Sequence, residues 1–150
     1  MGANHAWGAT SLERIGTLDP RWRPVLNDVL AAVPFDVTVI FGFRGEDAQN
    51  AAWAAGNSTK QWPNSIHNTM PSRAVDLAPL NADGSIPGYG DAPKDPRPWL
   101  VLAGAVLAAA RAARMPCRWG GNWDCDAVML DDQDFDDLGH FEAGEEDMAA

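Results

Sequence analysis

Ser65-Ile66-His67-Asn68-Thr69-Met70-Pro71-Ser72-Arg73-Ala74-Val75-Asp76-Leu77 sets an imidazole in a loop just ahead of a short apolar segment that carries a carboxylate. Ala74 to Leu77 reads as a core strand delivering Asp76, with His67 on the preceding loop and Pro79 ending the strand. Far downstream, Asp137-Leu138-Gly139-His140-Phe141-Glu142 supplies a second imidazole, and His140 to Glu142 reads as another short strand. Two imidazoles and one carboxylate form a three-ligand set that suits zinc and leaves one position open for water, the pattern of a catalytic rather than a structural site. His67, Asp76 and His140 are therefore the candidate metal ligands, Zn2+ is the expected cofactor, and hydrolysis is the implied chemistry. A water activated in this way needs a proton acceptor beside it. Asp137 lies three residues before His140, and on a turn or short helical segment both side chains emerge on the same side, so Asp137 is the candidate general base.

Working outward, the remaining elements alternate between helical and extended patterns. Asp19-Pro20 reads as an N-cap followed by Pro at the first helical position, and Trp22, Val25, Leu26, Val29, Leu30 and Val33 recur at helical spacing. Asp36 to Phe41 is apolar and β-branched, a strand ending at Gly42-Phe43-Arg44, so Arg44 sits at a strand end. Glu46 to Ala55 is a short Ala-rich helix closed by Gly56. Asn81 to Asp95 is a long Gly-, Pro- and Asp-rich loop. Asp95-Pro96 then opens a helix to about Arg114, with Trp99, Leu102, Ala103, Val106, Leu107 and Ala110 on one face and Met115-Pro116 as its stop. Arg118 to Trp119 reads as a short strand. Among the aromatic residues Trp119 reads as core, while Trp62 stays open between core packing and stacking on a ligand.

A chain of 150 residues with 46% apolar residues and seven Trp supports one folded domain and excludes disorder. Its N-terminus, Met1-Gly2-Ala3-Asn4-His5-Ala6-Trp7, lacks the basic start and apolar run of a signal peptide. The longest apolar run, residues 98–110, falls short of the ~20 residues that cross a membrane. The net charge is -10, and 11 of the 21 acidic residues lie between Asp124 and Asp147 without a single Lys or Arg, which argues against a nucleic-acid partner. This stretch reads as a solvated acidic face and tail. Its alternating Asp132, Asp134 and Asp136 suggest oxygen ligands for calcium, but the helix-loop-helix calcium signature fails, with Asp137 in place of its Gly and Ala143 in place of its terminal Glu. Cys117 and Cys125 do not have the spacing of a zinc pair, and read as reduced thiols that pair only in an oxidising compartment.

Four blocks together carry a family resemblance: Ser65-x-His67-Asn68, Pro71-Ser72-x-Ala74-Val75-Asp76-Leu77, Trp119-Gly120-Gly121-Asn122-Trp123-Asp124 and Asp137-x-x-His140-Phe141-Glu142. In this order they resemble the zinc peptidases of peptidoglycan, a family of D-alanyl-D-alanine carboxypeptidases, vancomycin-resistance dipeptidases and phage L-alanyl-D-glutamate endolysins. The phage branch is the nearest, with its opening segment like Ser11-Leu12-Glu13-Arg14-Ile15 and its Gly-aromatic-Arg motif, here Gly42-Phe43-Arg44, followed by Gln49. The chain departs from many relatives in the longer Asn68-to-Arg73 insertion between the first two ligands and in Gly139 where they have Pro.

The resemblance implies a single α+β domain of the D-alanyl-D-alanine-peptidase (hedgehog-like) type, a small antiparallel sheet with flanking helices, with its core at about residues 11–142 and an acidic tail at 143–150. It implies the ligand set His67, Asp76 and His140 with Asp137 as base. It also implies that Arg44 binds or polarises the scissile carbonyl and that Ser65 hydrogen-bonds near the substrate or the metal shell. From the residues alone Arg44 reads as a surface ion-pair residue. The implied activity is cleavage of the peptidoglycan stem peptide at an L-alanyl-D-glutamate bond by a monomeric phage endolysin, made without a signal peptide and released to the wall through a holin. A D-alanyl-D-alanine carboxypeptidase is the alternative within the class. A zinc-containing, noncatalytic wall-binding module is the alternative outside it, and loss of Asp137 or Arg44 is the feature that would mark it.

Overall fold

The computed structural model describes residues 6–88, 95–122, 125 and 137–148. In chain order the elements are α1 (Ala9–Ile15), α2 (Trp22–Ala32), β1 (Val37–Phe41), α3 (Glu46–Ala54), a single 3-10 turn (Ile66–Asn68), β2 (Ala74–Pro79), α4 (Arg97–Ala112), β3 (Cys117–Gly120) and β4 (Asp137–Ala143). The four strands form one antiparallel sheet in the order β1-β2-β4-β3. This is the α+β arrangement expected from the sequence.

Strand alternation decides which residues meet the helices. Val37 and Val39 on β1, Val75 and Leu77 on β2, Trp119 on β3, and Phe141 and Ala143 on β4 are buried in one core cluster. With them lie Trp22, Val25, Leu26, Val29 and Leu30 from α2, and Leu102, Ala103, Val106 and Ala110 from α4. Each fully buried Val or Leu of this set contributes roughly 1.5–3 kcal/mol. The intervening strand residues Asp76, Arg118, His140 and Glu142 emerge on the opposite face. The buried indoles keep their N–H groups satisfied: Trp22 donates to the Arg73 carbonyl (3.0 Å), Trp99 to that of Pro87 (3.0 Å) and Trp119 to that of Leu138 (2.9 Å). Trp119 is therefore core, as expected.

Several boundaries differ from the sequence expectation. The helix predicted from Pro20 begins at Trp22, because Pro20 and Arg21 form a turn that the Asp19 carboxylate caps by accepting from the Arg21 amide at 3.0 Å. Pro24 is accommodated in the first turn, where its missing N–H has no intrahelical partner to lose. β2 runs two residues past Leu77 and ends at Pro79, as expected, with Pro79 paired with Val37 of the sheet's edge strand. The short helix α1, not anticipated as an element, places Ser11 to donate or accept at Thr38 and to accept from the Val39 amide. Cys117 and Cys125 are free thiols, and burial pushes the Cys117 thiol up to about 12. No helix among the described residues is long and apolar enough to cross a membrane. The Asp132, Asp134 and Asp136 run, Trp123 and part of the 81–95 loop lie outside the described residues.

β4 contains an irregularity that matters for the site. Gly120 pairs with Asp137 while its neighbour Trp119 pairs with Phe141, so β4 loops out between these two positions. Gly139 sits in that bulge with its Cα against the Leu77 carbonyl and the Trp99 ring, and a Cβ there would collide with that backbone oxygen. Gly139→Ala should accordingly destabilise the protein by about 1–3 kcal/mol. Gly104→Ala, on an exposed turn of α4 with open space around its Cα, should instead stabilise by up to about 1 kcal/mol. Urea unfolding of the two variants checks both signs, and equal effects would exclude the close approach at Gly139 as the cause.

Candidate metal centre and cleft

Asp76 and His140 face each other directly across the β2–β4 ladder. They occupy the sheet face that the helices leave uncovered, and the third residue, His67, is brought over them by the 3-10 turn. Ser65 caps that turn: its Oγ accepts from the His67 amide at 3.2 Å, and its own amide donates to Asn68 Oδ1 at 3.0 Å. Ser65, expected near the substrate or metal shell, thus fixes the backbone of His67 as well as lining the cleft. His67 Nε2, His140 Nδ1 and an Asp76 oxygen converge, with separations of 3.2 Å between the two nitrogens, 2.9 Å from His140 to Asp76 and 3.2 Å from His67 to Asp76. All three expected ligands therefore meet, and among the described residues they form a group that could hold a metal ion.

The hydrogen bonds on the far side of each ring decide what these atoms can do. His67 Nδ1 lies 2.9 Å from the Gly42 carbonyl, which only accepts, so Nδ1 carries the proton and Nε2 turns a lone pair inward. His140 Nε2 lies 3.0 Å from Glu142 Oε1. Burial works against the charged form of Glu142, but the hydrogen bond to His140 and the charges of His140 and Arg118 outweigh it and keep this carboxyl below its ordinary range. It accepts from Nε2, so in the neutral ring the His140 lone pair is on Nδ1. Two lone pairs and a carboxylate oxygen facing one another at these distances repel unless positive charge lies among them. The spacing is close to the ligand-to-ligand distance of about 3.3 Å in a tetrahedral site with bonds of roughly 2.0–2.1 Å. Such outer acceptors on metal-binding imidazoles are the usual way a protein fixes ring orientation.

The side chains alone express the same demand for positive charge. Burial disfavours the His140 imidazolium, yet hydrogen bonds to Asp76 and Glu142 prevail and raise its pKa to about 9. At Asp76 burial raises the pKa, but His67 and His140 outweigh it and hold the carboxyl well below the usual carboxylate range. The donor set fits a dication, and a borderline-soft one such as zinc in particular.

Arg44 is not the surface ion-pair residue that its local sequence indicates: it is only 6% exposed. One nitrogen, Nη2, reaches Asp76 Oδ2 at 3.3 Å and Nη1 donates to Gln49 Oε1 at 3.0 Å, while the guanidinium stacks 4.5 Å from the Phe41 ring centre. Burial lowers the Arg44 pKa, and the charges of Asp76 and Asp137 oppose that shift. Gln49, fully buried on α3, is a hub: besides Arg44 its Oε1 accepts from Asn68 Nδ2 (3.1 Å), and its Nε2 donates to Ser58 Oγ (2.9 Å) and the Lys60 carbonyl (2.6 Å). One amide thus ties Arg44, the residue after His67 and the 58–60 segment together.

Asp137 also reaches this face, though not for the reason its spacing suggested. Asp137 and His140 lie on a strand, where residues three apart normally point to opposite faces; the β4 bulge reverses the parity between them. Both line a cleft of about 850 Å³ together with Arg44, Asp76 and His67. Burial, reinforced by the Asp76 charge, raises the Asp137 pKa above the ordinary carboxylate value.

Residues 4–143 match the family of phage L-alanyl-D-glutamate peptidases. The chain belongs to this family. The phage-type peptidase is thus a hydrolase of peptidoglycan, an endopeptidase rather than a binding module. Among solved structures it is similar to the Serratia marcescens L-Ala D-Glu endopeptidase ChiX, with a TM-score of 0.70 at 22% sequence identity, over 94% of this chain and 92% of that one. That likeness concerns the fold. No curated protein matches the chain. The peptidase cleft further contains Arg118 and Lys60, to which sequence reasoning gave no role, and Glu142 from the last of the four resemblance blocks. Glu142 was discernible: two residues beyond His140 on a strand, it must share its face. Arg118 pairs across β3–β4 with Glu142 and binds it at 2.8 Å.

Proposed function

We propose that the protein is a zinc-dependent L-alanyl-D-glutamate endopeptidase in which His67, Asp76 and His140 hold the metal, Asp137 is the general base and Arg44 stabilises the reacting carbonyl. The observation that carries this reading is the convergence of two imidazole lone pairs and one carboxylate on the open sheet face, with Asp137 lining the same cleft. When bound, zinc would supply Lewis acidity, making a water nucleophilic near neutral pH and polarising the peptide carbonyl.

The chain's own groups do the rest. Asp137, with its raised pKa, accepts the proton of the attacking water and returns it to the amine that departs. Arg44 holds Asp76 in place and brings a fixed positive charge to the cleft, where negative charge develops on the former carbonyl oxygen. Gln49 keeps that guanidinium from turning away. Glu142 and the Gly42 carbonyl lock the two imidazoles in the tautomers that face inward. Ser65 contributes to the substrate wall. The protein would act as a monomeric endolysin on the bacterial wall, reaching it after release through a holin.

Digestion of purified peptidoglycan followed by mass spectrometry of the muropeptides tests the bond. New N-terminal glutamate on the released peptides is the expected product. Release of terminal alanine alone would make the enzyme a carboxypeptidase, and unchanged muropeptides with zinc bound would remove the catalytic reading.

A further inference from the structure

The cleft is walled by three carboxylates, Asp76, Asp137 and Glu142, and three cations, Arg44, Lys60 and Arg118. Arg44 is bound to Asp76 and Arg118 to Glu142. Lys60 has no ion-pair partner among the described residues, and its side chain is exposed at the cleft. Its backbone is nevertheless held firmly. The Lys60 amide donates to Ser58 Oγ at 3.1 Å, and its carbonyl accepts from Ser58 Oγ at 3.2 Å and from the buried Gln49 amide at 2.6 Å. Gln49 in turn accepts from Arg44, which contacts the ligand Asp76. A cation on a free side chain is thus mounted on a backbone registered to the metal centre.

The substrate class presents a matching group. A glutamyl residue has two carboxyls, and only one can enter the onward peptide bond, so an L-alanyl-D-glutamyl substrate carries a free carboxylate on the amine side of the scissile bond. A chain of net charge -10 repels such an anion unless a cation receives it. We propose that Lys60 is the specificity-determining residue that receives the free carboxylate of the substrate's glutamyl residue. This assignment rests on the endopeptidase reading above.

The test uses the full-length, zinc-loaded enzyme and two synthetic peptides: an N-acyl-L-alanyl-D-glutamyl peptide, and the same peptide with its free glutamyl carboxyl converted to the carboxamide. Wild-type enzyme should prefer the carboxylate form by about 10-fold in kcat/KM, mainly through KM, with the preference shrinking at high ionic strength. Lys60→Met should erase the preference by losing activity on the carboxylate peptide alone, and Lys60→Arg should restore most of it. Zinc content should be the same in all three proteins. Equal losses of Lys60→Met on both peptides, or a preference that survives the substitution, would overturn the role of Lys60 while leaving the endopeptidase intact. If wild type cleaves neither peptide, the bond assignment fails and the proposal falls with it.

Discussion

Asp137→Asn should retain its zinc and its fold and lose peptidoglycan hydrolysis by about 10²–10⁴-fold, the usual contribution of a positioned general base. The amide preserves the shape of the side chain and its hydrogen-bonding capacity in the cleft, but it does not accept a proton at neutral pH. Burial and the neighbouring Asp76 raise the carboxyl's pKa, which is the direction a proton acceptor working near neutrality requires. The measurement pairs turnover of muropeptides with zinc content and thermal unfolding of the same preparation. Near-wild-type turnover with zinc bound would mean that another group takes the proton. Glu142 is poorly suited to that role, because its carboxylate is occupied by His140 at 3.0 Å and Arg118 at 2.8 Å.

Removal of the metal should abolish hydrolysis and lower the melting temperature by roughly 10 °C, as a tightly bound ion contributes on the order of 4 kcal/mol when present at a thousand times its dissociation constant. Binding draws on residues from the turn before β2 and from the two middle strands, so it stabilises the folded state specifically. Without the ion, the two imidazoles and a carboxylate oxygen that lie within 2.9 to 3.2 Å of one another must take up a proton in its place. His140→Ala should reproduce the loss of metal affinity that Asp137→Asn does not, which separates ligand from base. Calorimetry with a chelator and then with zinc restored checks the reversibility. Elemental analysis showing no zinc in unchelated, folded protein would sink the assignment.

The convergence of the candidate ligands was readable from sequence because their types suit one metal, and because Val75 and Leu77 around Asp76 mark a strand whose alternate residue must emerge from the core. The helices α2 and α4 were readable from their apolar spacing, Trp22 to Leu30 and Trp99 to Ala110. What stayed hidden depends on contacts distant in sequence. Asp137 lines the cleft with His140, but on a bulged strand and not on the turn or short helical segment expected for it, since a bulge is a property of two strands and not of the four residues that contain it. Arg44 looked like a surface residue because nothing nearby in sequence reveals that Phe41, Gln49 and Asp76 enclose it. Lys60 carries no local signal, and its backbone is held at the cleft by hydrogen bonds of Gln49 and Ser58.

Two of the three candidate ligands are opposite partners in one β ladder, Asp76 on β2 and His140 on β4. Their separation is therefore set by the pitch of the sheet, the least negotiable dimension in the molecule, whereas the 58–64 wall of the cleft belongs to a connection between α3 and the turn that bears His67. Reactivity and choice of substrate consequently sit on different elements, tied to each other through Gln49 and Arg44. Evolution, or an engineer, can exchange the side chain at Lys60 to suit another stem peptide while the backbone that Gln49 holds, and with it the candidate ligands on the ladder, stays in place.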